Sequence, residues 1–135
     1  MLKNAGAEII NYEIIPDDTE VISARIIRLS DDDGADLVVT TGGTGVSPRD
    51  VTPEATKAVI DRELPGMAEA MRSESLNKTP HAMISRAVCG IRKKTLIINL
   101  PGSMKGAREN LAVVLPAIPH AIEKICGSDA ECARP

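Results

Sequence analysis

The residues best suited to chemistry lie in one short stretch, Thr41-Gly42-Gly43-Thr44-Gly45, followed closely by Arg49-Asp50-Val51-Thr52-Pro53-Glu54. Glycines at 42, 43 and 45 let the backbone approach a ligand closely. Successive N–H groups in such a loop can cradle an anion, and a phosphate is the natural guest. The pattern lacks both common phosphate signatures. It has no Gly-Lys-Ser/Thr ending as in a P-loop, and Gly43-Thr44-Gly45-Val46-Ser47-Pro48 has no third glycine for a dinucleotide fingerprint. A tight strand-to-helix turn that needs glycine for its geometry accounts for the same residues, and residue types alone do not separate the two readings.

Two carboxylates follow different strand-like runs, Asp17 after Ile15-Pro16 and Asp50 after the glycines. They could converge on one divalent cation, since magnesium takes one or two carboxylates together with substrate phosphates and water. A turn residue after proline and a local cap account for the same two aspartates. A third loop, Asn99-Leu100-Pro101-Gly102-Ser103, closes another apolar run. Among the cations, Arg49 stands beside the Gly-rich loop. Lys105 falls in the first turn of an expected helix, where a positive charge opposes the helix dipole. Arg86 has no argument from spacing, and Arg92-Lys93-Lys94 reads as a solvated turn. His81 and His120 have no partner at catalytic or ligand spacing. Cys89, Cys126 and Cys132 are odd in number without metal-type spacing, and read as reduced thiols.

A scaffold must hold these groups, and 135 residues suffice for one domain that removes roughly two thirds of its unfolded surface from water. Leu37–Thr41 and Thr95–Asn99 are short β-branched or apolar runs of the kind found in strands covered on both faces. Glu8–Ile15 reads as a further strand, entered from a helix tail that Gly6 stops and ended by Pro16. Thr19 caps a helix to about Leu29, and Thr52 followed by Pro53 caps another to about Glu63. Pro65-Gly66 breaks the chain before a helix over Met67–Leu76. Residues 82–88 are ambiguous, and Gly90–Lys94 reads as a basic exposed turn. Further helices follow from Ser103 or Met104 to Leu115, and from the Pro116/Pro119 region to about Cys126. The alternation predicts a three-layer α/β/α domain with a mostly parallel central sheet over residues 1–126 and a disordered tail over 127–135. In such sheets ligands bind beyond the carboxyl ends of the strands, so all three loops can face one crevice.

Composition excludes several functions. The chain has no Phe, no Trp and a single Tyr, so it offers no aromatic platform for bases, and its net charge of −3 is wrong for a phosphate-backbone binder. Nucleic acid is not an expected partner. No apolar run reaches the length of a membrane span, and the opening residues form no signal-peptide core, so a cytoplasmic protein is expected.

Taken in series, Thr40 to Gly45, Arg49 to Thr56, Leu64-Pro65-Gly66-Met67, Ser85-Arg86-Ala87 and Asn99 to Ser103 closely resemble the molybdopterin-binding family that includes MogA, MoaB and the G domain of gephyrin. The resemblance covers nearly the whole chain in order. It implies a homo-oligomer, often a trimer, that binds molybdopterin. In the MogA branch it also implies transfer of AMP from ATP to the molybdopterin phosphate with release of pyrophosphate, and magnesium as the metal. By position, Asp17 and Asp50 match the family's two functional carboxylates, expected as catalytic residues and metal ligands. Thr41, Gly42, Gly43, Thr44, Gly45 and Arg49, with Pro101, Gly102, Ser103 and Lys105, are the expected substrate contacts. The MoaB branch leaves open a non-catalytic molybdopterin-binding protein, and an assembly subunit without ligand chemistry is a third alternative. Family members begin with a strand, a Ser-Asp-Arg loop and a helix whose end matches Leu2 to Ala7. The resemblance therefore implies a chain that starts after that segment, with flanking strands exposed and some ligand contacts missing.

Overall fold

The structure, a computed structural model, describes residues 1–127, so the tail expected over 127–135, with Cys132, lies outside the described residues apart from Gly127. Four strands form one sheet in the order β1 (Leu37–Thr41), β4 (Thr95–Leu100), β3 (Cys89–Arg92), β2 (Arg62–Glu63). β1 runs parallel to β4, with Leu37 opposite Leu96 and Thr41 opposite Leu100. β3 pairs antiparallel with both β4 and β2, so the described sheet is mixed, with its parallel ladder at the β1 side.

Strand β4 is the axis of the molecule because all six of its residues are buried. Successive side chains leave a strand on opposite faces. Leu96, Ile98 and Leu100 accordingly enter one apolar cluster, and Ile97 enters the other. Helices α3 (Pro65–Leu76), α4 (Met104–Val114) and α5 (Ile118–Ile125) cover the first face through Met67, Met71, Leu111, Val114 and Ile118. Helices α1 (Thr19–Ile27) and α2 (Thr52–Lys57) cover the second through Ile22, Ile26 and Ala55. The three-layer α/β arrangement is as expected. Each fully buried aliphatic side chain of β4 contributes about 2 kcal/mol of transfer free energy. No helix among the described residues is long and apolar enough to cross a membrane.

Four local expectations are corrected. Residues 8–15 join no ladder: Ile10, Tyr12 and Ile14 are exposed, and only Ile15 packs against a core cluster. A strand exists only where a neighbour takes its backbone groups, and among the described residues no strand lies beyond β1, which ends the sheet. Glu13 is tied instead to Arg25 of α1, whose hydrogen bond holds the Glu13 carboxyl below its usual range. Helix α1 is capped by Asp18 rather than Thr19, through a bond from the Val21 N–H at 2.9 Å.

Helix α2 stops at Lys57, because the chain turns to lay Arg62-Glu63 against Ile91-Gly90. Ile60 occupies the space above Gly90 that a Cβ there would need. Gly90 to Lys94 is correspondingly not an exposed turn. Cys89–Arg92 is strand β3, and the reversal is confined to Lys93-Lys94, with Lys93 at φ 51°. Arg92 is drawn inward by a two-pronged pair with Asp31, at 3.0 and 2.7 Å, and by a bond to the Val59 carbonyl at 2.8 Å.

Candidate functional site

The parallel pair β1 and β4 sends two chain crossings out at the same sheet end, and these loops touch. The Gly42 N–H donates to Leu100 O at 3.0 Å. A Cβ on Gly102 would stand 3.2 Å from Gly42 Cα, so the glycines at 42 and 102 allow the two loops to pass in backbone contact. Gly42 and Gly43 lie at φ 92° and 68°, a region that L side chains rarely adopt. The Thr52 N–H then returns to Gly43 O at 3.1 Å, closing the loop over the start of α2.

Beneath the loops, Asn99 acts as a polar pivot. It is fully buried, and its side chain accepts from the Val88 N–H at 3.1 Å while donating to Thr40 Oγ1 at 2.9 Å and Thr56 Oγ1 at 3.0 Å. One amide thus joins β4, β1, α2 and the segment ahead of β3. A satisfied buried polar group of this kind fixes a single arrangement of the elements around it.

Above them opens a cavity of about 420 Å³. Gly43, Thr44, Gly45 and Asp50 form one wall, and Pro101, Gly102 and Ser103 the floor. The facing wall comes from α3, Lys78 and the 3₁₀ turn Pro80–Ile84, with Arg72, Ser75 and His81 among Ala82 and Ile84, and with Asn110 from α4 beneath. A wider, shallower depression of about 630 Å³ near Met1 and Arg108 shares none of the loop residues. Among the described residues, the N–H groups of Gly43, Thr44 and Gly45 have no protein acceptor. They are therefore available to an anion, as are those at the start of α4, where Ser103 Oγ caps only the Gly106 N–H at 3.0 Å.

Asp50 Oδ2 accepts from the Ser47 N–H at 2.9 Å, which leaves Oδ1 without a protein donor. Asp17 does not line the cavity. It faces Arg49 at 4.0 Å, one residue from Asp50, and both members of that pair are well exposed. Thr41, Gly42, Arg49 and Lys105 also fall outside the cavity lining, so the expected substrate contacts divide into Gly43, Thr44, Gly45, Pro101, Gly102 and Ser103 inside it and those four at or beyond its rim. No group of three or more His, Cys, Asp or Glu that could hold a metal occurs among the described residues. Magnesium would fit here as an ion shared with substrate phosphates, which Asp50 Oδ1 would help to hold.

The facing wall lies outside the expected contacts. Arg72 and Ser75 stand three apart on α3, a polar pair on a helix whose Met67, Ala68 and Met71 are buried, and that spacing is a usable signal. Arg72 spends one N–H on Ala87 O at 2.9 Å, Lys78 pairs with Glu109 at 3.7 Å, and Asn110 donates to Ser75 Oγ at 3.1 Å. Arg86, for which spacing gives no argument, makes more hydrogen bonds with the stretch from Gly45 to Glu54 than any other side chain.

Residues 1–120 match the sequence family described as "Probable molybdopterin binding domain". The chain belongs to this family. Within it, the chain is 51% identical over 118 residues to the molybdopterin adenylyltransferase of Helicobacter pylori (strain J99), covering 87% of this chain and 67% of that one. It is 55% identical over 111 residues to gephyrin of Dictyostelium discoideum, covering 82% of this chain and 15% of that protein. In three dimensions it is similar to the molybdopterin biosynthesis enzyme MoaB of Thermus thermophilus, with a TM-score of 0.86 and 49% identity over 94% of this chain and 82% of that one. The chain thus spans about two thirds of the length of the bacterial relatives. In this molybdopterin-binding domain the unbonded amides of the Gly-rich loop, Asp50 and the Pro101-Gly102-Ser103 floor share one cavity.

Proposed function

We propose that the chain binds molybdopterin in the cavity between the Gly-rich loop and α3 and transfers AMP from ATP to the molybdopterin phosphate, releasing pyrophosphate. The observation that carries this reading is the convergence of free backbone amides and one carboxylate oxygen in a single cavity. It is supported by the adenylyltransferase name of relatives that are about half identical. Adenylyl transfer moves a charged phosphorus centre between oxygens. It calls for positioning and charge neutralisation rather than a protein nucleophile. The amides of residues 43–45 would hold phosphate oxygens, and the cations of the facing wall would offset their charge. Asp50 would help to hold magnesium, which would supply neutralisation of the charge on the phosphates.

Asp17 acts in this reading through Arg49, steering the chain next to Asp50, and Lys105 and Arg49 meet the outer phosphates at the rim. Self-association to a homotrimer belongs to the same proposal, with the exposed Met83, Ile84 and Met104 as apolar surface for it. So does a cytoplasmic setting, which suits the free thiols of Cys89 and Cys126.

The test is pyrophosphate release when molybdopterin is added to the chain with magnesium-ATP. Stoichiometric release with AMP appearing on the pterin is the expected result. Tight molybdopterin binding without release would replace it with the non-catalytic reading, and absence of binding would remove both.

A further inference from the structure

Arg86 reaches from the segment between the 3₁₀ turn and β3 across to the Gly-rich loop, and its own backbone is held on both sides. Its N–H donates to Thr44 O at 2.8 Å. Two residues on, Val88 exchanges two bonds with Asn99, one to the side chain at 3.1 Å and one from the Asn99 N–H to Val88 O at 3.0 Å. The arginine is therefore anchored to β4 before its side chain does anything. From that base, Nε donates to Gly45 O at 2.7 Å, Nη2 donates to Asp50 O at 2.7 Å, and Nη1 pairs with the Glu54 carboxylate at the start of α2. All three nitrogens are thus engaged with protein. The hydrogen bond from Arg86 also holds the Glu54 carboxyl below its usual range, so the pair stays charged at neutral pH.

We propose that Arg86 is a positioning residue that fixes the shape of the loop from Thr44 to Asp50, so that the free amides and the Asp50 carboxylate face the same point without Arg86 touching substrate. Three acceptors lie on a rigid fork, and only a guanidinium presents donors in that plane; an ammonium group is a point charge that satisfies one or two of them. Besides the backbone bond at buried Thr44, the loop has only internal bonds, Ser47 N–H to Asp50 Oδ2 and Asp50 N–H to Ser47 O, and Gly45 has no side chain to pack. Removing the fork leaves Thr44 held by the main-chain bond, but residues 45–50 closed only on themselves and free to shift relative to the floor. A displacement of about 1 Å is enough to cost on the order of 100-fold in rate.

The functional half of this proposal rests on the adenylyl-transfer reading, so the experiment has an arm that does not. Amide hydrogen exchange is followed in the wild-type chain, Arg86→Ala and Arg86→Lys, alongside pyrophosphate release with no addition, with guanidinium ion and with ammonium ion. The expected result is faster exchange at Ser47, Asp50 and Thr52 in both variants with β3 and β4 unchanged, turnover lower by on the order of 100-fold, and partial recovery of Arg86→Ala by guanidinium but not by ammonium. Wild-type exchange at those amides, or full turnover in Arg86→Lys, overturns the proposal. If Arg86→Ala does not fold, the lysine variant carries both arms. If the wild-type chain itself releases no pyrophosphate, the adenylyl-transfer reading fails while the exchange arm still decides whether Arg86 fixes the loop.

Discussion

Gly43 and Thr52 hold each other in two ways: the Thr52 N–H donates to Gly43 O at 3.1 Å, and the Thr52 hydroxyl fills the space that a Cβ on residue 43 would need. Gly43→Ala therefore meets a steric block and a backbone conformation at φ 68° that alanine disfavours. Denaturant unfolding should show a loss of about 1–3 kcal/mol, and molybdopterin binding should weaken with it. Gly66→Ala, where nothing lies within 4 Å of the added carbon, should leave both measurements unchanged or slightly improved.

Asp50→Asn keeps an oxygen for the Ser47 N–H but removes the charge on the other side of the carboxylate. Thermal stability should stay near that of the wild type, and pyrophosphate release should fall by on the order of 100-fold. Normal turnover in this variant would remove Asp50 from the proposed magnesium site.

Asn99→Leu deletes the pivot shared by Val88, Thr40 and Thr56 and strands a buried N–H and two hydroxyls. Equilibrium unfolding should register a loss on the order of 3 kcal/mol. Ligand binding should fall even at temperatures where the variant remains folded, because the β1 and β4 loops lose their common anchor.

The Asp31 carboxyl is held below its ordinary value of 3.8 chiefly by its hydrogen bonds from Arg92. A carboxyl whose folded value is depressed gives stability that is complete above the unfolded value and is lost as the pH falls through the folded one. Acid unfolding of the wild type should therefore steepen below pH 3.8, and Asp31→Asn should be less stable at neutral pH with a flatter acid limb. A denaturation series in pH steps compares the two slopes. Equal slopes would mean that the Asp31–Arg92 pair is not part of the acid response.

Burial pushes the Cys89 thiol up to about 12, so it should resist alkylation at pH 8, where reactivity follows the thiolate. Cys126 is exposed and should react before Cys89. Peptide mapping after brief alkylation distinguishes them, and early modification of Cys89 would show that the sheet opens locally in the native state.

Much of this architecture is legible in the sequence because it is written in contiguous runs. Thr95 to Leu100 is buried along its whole length, and its composition alone demands a covered strand. The Gly-rich loop and Asp50 are legible for a similar reason, lying within a few residues of one another. What escapes depends on partners far along the chain. Glu8–Ile15 has strand composition but no neighbour to pair with, while Gly90 and Arg92 become strand residues only because Ile60 and Asp31 receive them. Arg86 escapes because two of its side-chain acceptors are backbone carbonyls, which no residue type announces. The direction of the wall formed by Arg72 and Ser75 follows from the packing of α3 against α4, which sequence spacing does not reveal.

The lone tyrosine, Tyr12, is 85% exposed on the unpaired segment, and the chain has no Trp or Phe. Unfolding barely changes its surroundings, so near-ultraviolet dichroism and intrinsic emission report almost nothing about the state of this protein. The same optical silence is an advantage for ligand work. A pterin would absorb against a nearly dark protein background, and titrations could be read from the ligand without subtracting the signal of its host.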